Sequence, residues 1–244
     1  RYYAVIPQNP PSSTCQGVAT QLSALCHLRH LLAGDPELAQ VNLQGGLNYW
    51  FLNNVKELQK WSQEAVDHSD PVDIRHKLVN ILYILDGNGC IAQDIQQYAV
   101  PDLDNNPDDG SLANIAAIPL LDCSLTPNTP GYLAHIHNHL HAMIQATGVQ
   151  SDQIAIASQV GTELNTLNKW LMDVQNSTRQ LLAMNNEQLV QTNGQNLRNK
   201  INAMATSVLS GGTDPESGNM EKGAQNIADQ IQQLAMLDIT RYVA

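Results

Sequence analysis

Residues 157–181, ASQVGTELNTLNKWLMDVQNSTRQL, decide the fold class. Ala157, Val160, Leu164, Leu167, Leu171, Val174, Thr178 and Leu181 step alternately by three and four residues. That is the repeat of a helix burying one seam, whereas a half-buried strand alternates every second residue. Leu197, Ile201, Met204 and Val208 repeat the step, as do Met220, Ala224, Ile227, Ile231 and Leu234. Gly194 and Gly211-Gly212-Thr213-Asp214-Pro215 interrupt the pattern. Three antiparallel helices packed at shallow angles follow as a C-terminal bundle.

Working back toward the N-terminus, the same spacing recurs. Leu133, Ile136, Leu140, Met143 and Ile144 form a stripe on a helix that Thr129-Pro130 opens. Asp70-Pro71, a cap followed by Pro at the first helical position, starts another, with Ile74, Leu78, Ile81 and Leu85 on one face. Asp86-Gly87-Asn88-Gly89 ends it, and a short helix from Cys90 to Tyr98 follows. Leu47, Phe51, Val55, Leu58 and Trp61 or Ser62 mark a helix from about Leu47 to Asp67. Cys15, Val18, Leu22 and Leu25 extend one from a capping box at Ser13 and Gln16 to about Ala33, where Gly34-Asp35-Pro36 breaks it. The expectation is an all-α multi-helix bundle of about six or seven helices. Residues 1–13, with Pro7, Pro10 and Pro11, form an extended arm. Residues 14–99 form an N-terminal helical region, 100–130 an irregular Pro- and Asp-rich segment, and 131–244 the C-terminal bundle, packed with 14–99 as one domain.

The chain has 12 Lys+Arg against 23 Asp+Glu, a net charge of -11 over 244 residues. That balance excludes nucleic acid, which needs a basic face to displace counterions, and disfavours an anionic membrane surface. The apolar runs, such as Ile81–Leu85, are far short of the roughly 18 residues a membrane span requires. Sparse charge and abundant Asn and Gln suit an extracytoplasmic or secreted surface. The chain opens at Arg1 without an initiator Met or a signal peptide, as expected of a processed protein. The sequon Asn176-Ser177-Thr178 decides nothing alone.

Cys15, Cys26, Cys90 and Cys123 are disulfide candidates, none in a C-x-x-C pair. If a helix starts near Ser13, Cys15 and Cys26 lie about 16 Å apart along its axis, beyond the roughly 7 Å a disulfide allows. The expectation is then no Cys15–Cys26 bond: either the first helix is tied to both Cys90 and Cys123, or Cys90–Cys123 is a bridge and Cys15 and Cys26 are core thiols. A helix starting later, near Thr20, would permit Cys15–Cys26.

One local feature points to chemistry: His135-Ile136-His137-Asn138-His139-Leu140-His141, which holds four of the eight histidines. On a helix, His135 with His139 and His137 with His141 form i,i+4 pairs. Each pair can converge on Zn²⁺, Cu²⁺ or Ni²⁺. A dedicated site needs a third ligand, and His27 and His30 are the nearest by type. The helical wheel sets His137 and His141 closer to the apolar stripe, with better odds of meeting a neighbouring helix. The alternative is a set of boundary histidines that cover core edges and meet water. H-E-x-x-H is absent, and Glu64, His68, Asp73 and His76 fall short of a di-iron pattern. Haem ligation by a lone His remains open, without a C-x-x-C-H attachment. Asp102, Asp104, Asn106 and Asp108 alternate like calcium ligands, although Pro107 stands where an EF-hand needs Gly. Tyr49-Trp50-Phe51 reads as core rather than a ligand platform.

No P-loop, dinucleotide fingerprint or nucleophile elbow is present. Two functional expectations result. One is a non-enzymatic extracytoplasmic helical module that binds a protein partner or assembles with its own copies. The other is a metal- or haem-binding helical protein using the 135–141 cluster, with an enzymatic role conceivable and no catalytic residue assigned. The cofactor is unidentified: a transition metal or calcium suits these side chains.

Overall fold

A computed structural model of the protein describes Cys15 and residues 22–98, 116–122, 130–146, 149–214 and 216–236. The arm 1–13, the capping box at Ser13 and the calcium-ligand pattern Asp102, Asp104, Asn106 and Asp108 lie outside these residues. Nine helices fall among the described residues: α1 (Ala24–Leu32), α2 (Pro36–Gln40), α3 (Leu47–Asp67), α4 (Pro71–Tyr98), α5 (Tyr132–Gln145), α6 (Ser151–Leu182), α7 (Asn186–Val190), α8 (Thr192–Ser210) and α9 (Ala224–Gln233). The count exceeds six or seven chiefly because α2 and α7 are single short turns. Two strands, β1 (Gly212–Thr213) and β2 (Met220–Glu221), pair antiparallel in a small hairpin. Met220, placed on a helix by its spacing, is therefore a strand residue and 75 % exposed.

Most residues of the stripes read from the sequence are core, with Leu25 and Met220 exposed. All eight seam residues of α6 are buried, as are Leu47, Phe51, Val55 and Leu58 of α3 and Ile74, Leu78, Ile81 and Leu85 of α4. Helix α6, about 48 Å long at 1.5 Å per residue, packs against α4, α5, α8 and α9. Helix α3 lies on α1, α4, α8 and α9. Helices α6, α8 and α9 pack on one another as the C-terminal bundle. Two buried arginines tie helix ends together. Arg75 of α4 donates to the Leu182 and Met184 carbonyls just past α6, and Arg198 of α8 donates to the Ala65 and His68 carbonyls at the end of α3. These are carbonyls that a helix leaves without an internal partner.

The break expected at Asp86–Gly89 is present: α4 is two helical stretches joined at a kink there. Gly87 separates them, with φ of 71° and ψ of 169° that are not helical, and the second stretch runs to Tyr98. Segment 116–122 meets that kink: Leu120 N–H donates to Ile84 O at 2.8 Å and Leu121 N–H to Leu85 O at 3.1 Å. A side chain at Gly87 would meet the Pro119 ring at 3.1 Å. The same segment then seats α5. Pro119 O accepts from Tyr132 N–H at 2.8 Å, and Asp122 Oδ1 accepts from Gly131 N–H at 2.8 Å.

Cys15 and Cys26 form a disulfide, with Cα atoms 5.2 Å apart. This overturns the expectation of no such bond. Helix α1 begins at Ala24, with Ser23 as its cap accepting from Cys26 N–H, so Cys15 does not lie on it. Cys90 is disulfide-bonded too, and Cys123 lies outside the described residues. No described helix is long and apolar enough to cross a membrane.

Candidate metal centre

Three elements converge on one buried polar cluster. Helix α1 supplies His27 and His30, the turn into α2 supplies Asp35 and Glu37, and α5 supplies Tyr132, His135 and His139. Helix α1 packs directly on α5. The following chain is held close at Gly46, where an added Cβ would lie 2.4 Å from Leu31 O. His27, His30, Asp35, His135 and His139 are each at most 6 % exposed.

Asp35 organises the cluster because its two oxygens face different ways. Oδ1 caps α2, accepting from Glu37 N–H at 2.8 Å and Leu38 N–H at 3.1 Å. Oδ2 faces imidazole nitrogens: His139 Nε2 at 3.6 Å, His135 Nε2 at 3.7 Å and His30 Nδ1 at 3.8 Å. These separations are too long for hydrogen bonds. They sit a few tenths of an ångström above the roughly 3.4 Å between two ligands of one tetrahedral ion with bonds of about 2.0–2.2 Å. One ligand atom each from His30, Asp35 and His139 lie within 4.8 Å of one another.

The His139 ring is oriented from behind. Its Nδ1 lies 2.9 Å from His27 Nδ1, so one ring donates and the other accepts. If His139 offers the Nε2 lone pair to an ion, its Nδ1 carries the proton and donates to His27. That is the outer-shell contact that fixes a ligating histidine's tautomer. His30 meets the same ring edge-on at a centroid distance of 5.0 Å, and His135 stacks on it at 5.0 Å.

The electrostatics suit a cation. Burial, aided by His139, pushes His30 below its ordinary value, against the pull of Asp35. Burial likewise pushes His135 down to about 4, again against Asp35 and with His139 and His30 adding. The rings therefore offer lone pairs at neutral pH. Burial works against the Asp35 charge, but His139, His135, the Leu38 amide and His30 outweigh it and hold the carboxyl below its ordinary value. Burial and Asp35 push Glu37 up. Burial, then Asp35, push the Tyr132 phenol up, and its buried hydroxyl has no hydrogen-bond partner among the described residues.

The histidine run divides the opposite way from the expected one. His135 and His139 are buried against α1, so they are not solvated boundary residues. His141 is exposed and His137 half-buried beside Gly161 of α6. Those two rings stack in parallel 6.3 Å apart, and His141 Nε2 lies 2.9 Å from the Gln145 side-chain nitrogen. The wheel ranked neighbours by the apolar stripe alone, whereas α1 covers α5 beside that stripe. Asp35 and Glu37 went unrecognised as site residues, because Gly34-Asp35-Pro36 was read only as the break after the first helix. His68 pairs with Asp73 at the surface and Glu64 with Lys77, so no di-iron arrangement forms from them. Of Tyr49-Trp50-Phe51 only Phe51 is core, for Tyr49 is 63 % exposed and Trp50 donates to Gln44 O.

Comparison with protein-family models, curated proteins and solved structures gave no match.

Proposed function

We propose that this is a metal-binding helical protein in which His30, Asp35 and His139 hold one divalent transition-metal ion. Between the two expectations, this one has a specific arrangement of residues behind it. The observation that carries it is the separation of the three buried ligand atoms, from three different elements, all within 4.8 Å. Two imidazoles and one carboxylate suit zinc or ferrous iron, and three protein ligands leave coordination positions open for water or another ligand. His27 orients His139, and the buried Tyr132 hydroxyl is a donor without a hydrogen-bond partner among the described residues. The Cys15–Cys26 disulfide supports an extracytoplasmic setting, where such bonds persist.

Thermal unfolding with and without Zn²⁺ tests the reading. An ion that binds only the native state at a hundred times its Kd adds about 2.7 kcal/mol. For a chain of this size that raises Tm by roughly 5–10 °C. The rise disappears in His139→Ala and His30→Ala and survives in His137→Ala. A Tm that does not respond to Zn²⁺, Fe²⁺, Co²⁺ or Ni²⁺ sinks the proposal.

A further inference from the structure

We infer that Glu37 and His135 form a second cation position beside the first, so that the cluster is a two-ion centre. The inference rests on the metal-binding reading, because Asp35 is its link to the first ion. The His135 ring lies between two carboxylates: Nε2 is 3.7 Å from Asp35 Oδ2, and Nδ1 is 3.7 Å from Glu37 Oε2. Both His135 Nδ1 and Glu37 Oε2 are buried atoms with no hydrogen-bond partner among the described residues. An imidazole and a carboxylate that close normally turn to make the hydrogen bond, because leaving both atoms buried and unmade is costly. A cation between them satisfies both at once.

The tautomer is consistent with this. A neutral imidazole has one N–H and one lone pair. With the Nδ1 lone pair on the second ion, the Nε2 proton points at Asp35 Oδ2, the carboxylate that ligates the first. His135 then serves one ion directly and orients the ligand of the other. His135 is 6 % exposed, which holds its ring in place, while the Glu37 side chain is 39 % exposed. The Glu37 side chain thus runs from solvent into the cluster, with Oε2 at its buried end.

Equilibrium dialysis of the chelator-stripped full chain against micromolar Zn²⁺, with zinc measured by elemental emission, tests the inference. A His137→Ala/His141→Ala background removes the surface pair as a source of bound zinc. Two ions per chain are expected there, falling to one on Glu37→Gln and to none on adding His139→Ala. Glu37→Gln keeps the side chain's shape, and an unchanged zinc-free Tm confirms that it folds. Co²⁺ in place of Zn²⁺ supplies a second readout: its visible absorption loses one of two components in Glu37→Gln. One ion in the background protein, unaltered by Glu37→Gln but lost in His139→Ala, overturns the second position and leaves the first intact. Two ions retained in Glu37→Gln also overturn it. No ion in any variant overturns both.

Discussion

Asp35 does two jobs with two oxygens, and substitutions separate them. Asp35→Asn retains a carbonyl oxygen to cap α2 through Glu37 and Leu38 N–H, and it removes the negative charge facing three imidazoles. Metal-dependent stabilisation is expected to vanish, with the zinc-free Tm little changed. Asp35→Ala loses the cap too, which costs about 1 kcal/mol more. Unfolding titrations of the two variants, with and without Zn²⁺, check the split. His135 carries a pH dependence whose sign follows from its depressed folded value. Asp35, Glu37, His139 and His30 face it. Its value falls from 6.5 in the unfolded chain to about 4 in the fold. Between those limits the unfolded chain binds the extra proton, so stability is full above about pH 6.5 and declines as pH drops toward about 4. The loss reaches about 3 kcal/mol at most; His30 adds to it, and Glu37, pushed the other way, works against it. Denaturant unfolding at pH 7.5 and pH 5 in a chelator should show the decline in the wild type and a smaller one in His135→Asn. A decline in His135→Asn as large as in the wild type would contradict a depressed value for His135. At this scale the sequence disclosed the histidines and their i,i+4 spacing. It hid Asp35, because a helix-capping Asp and a ligand Asp look the same until α5 is laid beside it.

At the scale of elements, the site depends on how α5 is seated. Gly131 and Tyr132 are held by segment 116–122, which is itself bound to the kink of α4. A Cβ at Gly131 would stand 2.5 Å from the Leu121 carbonyl, so Gly131→Ala must push α5 away from that segment. Loss of about 1–3 kcal/mol is expected, together with weaker metal binding, since His135 and His139 move with the helix. Gly161→Ala is the control: its Cβ would meet the His137 ring at an ordinary 3.6 Å, and metal binding is expected to be unaffected. The apolar stripes of α3, α4, α5 and α6 were legible because burial enforces the helical period. The kink was legible, because Gly87 supplies a positive φ that ends a helical stretch. What takes up the carbonyls of Ile84 and Leu85 was not: segment 116–122 does so from far along the chain. The start of α1 was misplaced: Ser23 caps it, well past the capping box expected at Ser13, which lies outside the described residues.

For the whole molecule, the disulfide and the metal act on the same corner. Cys26 stands one residue before His27 on α1, and its bond to Cys15 ties the preceding chain to the wall of the cluster. A closed loop of this length contributes about 3 kcal/mol by restricting the unfolded chain. Cys15→Ser/Cys26→Ser is expected to lower stability by up to that amount and to weaken Zn²⁺ binding, reduction, which also breaks the Cys90 bond, to lower stability further, and bound Zn²⁺ should recover part of the lost Tm. A zinc affinity identical before and after reduction would show that α1 holds its histidines without the bond. The central claim is tested most directly by diffraction from crystals grown with Zn²⁺ and measured on either side of the zinc absorption edge. The account predicts an anomalous peak within about 2.0–2.2 Å of His139 Nε2, Asp35 Oδ2 and a His30 ring nitrogen. A peak between His137 and His141, with none inside the buried cluster, would contradict it.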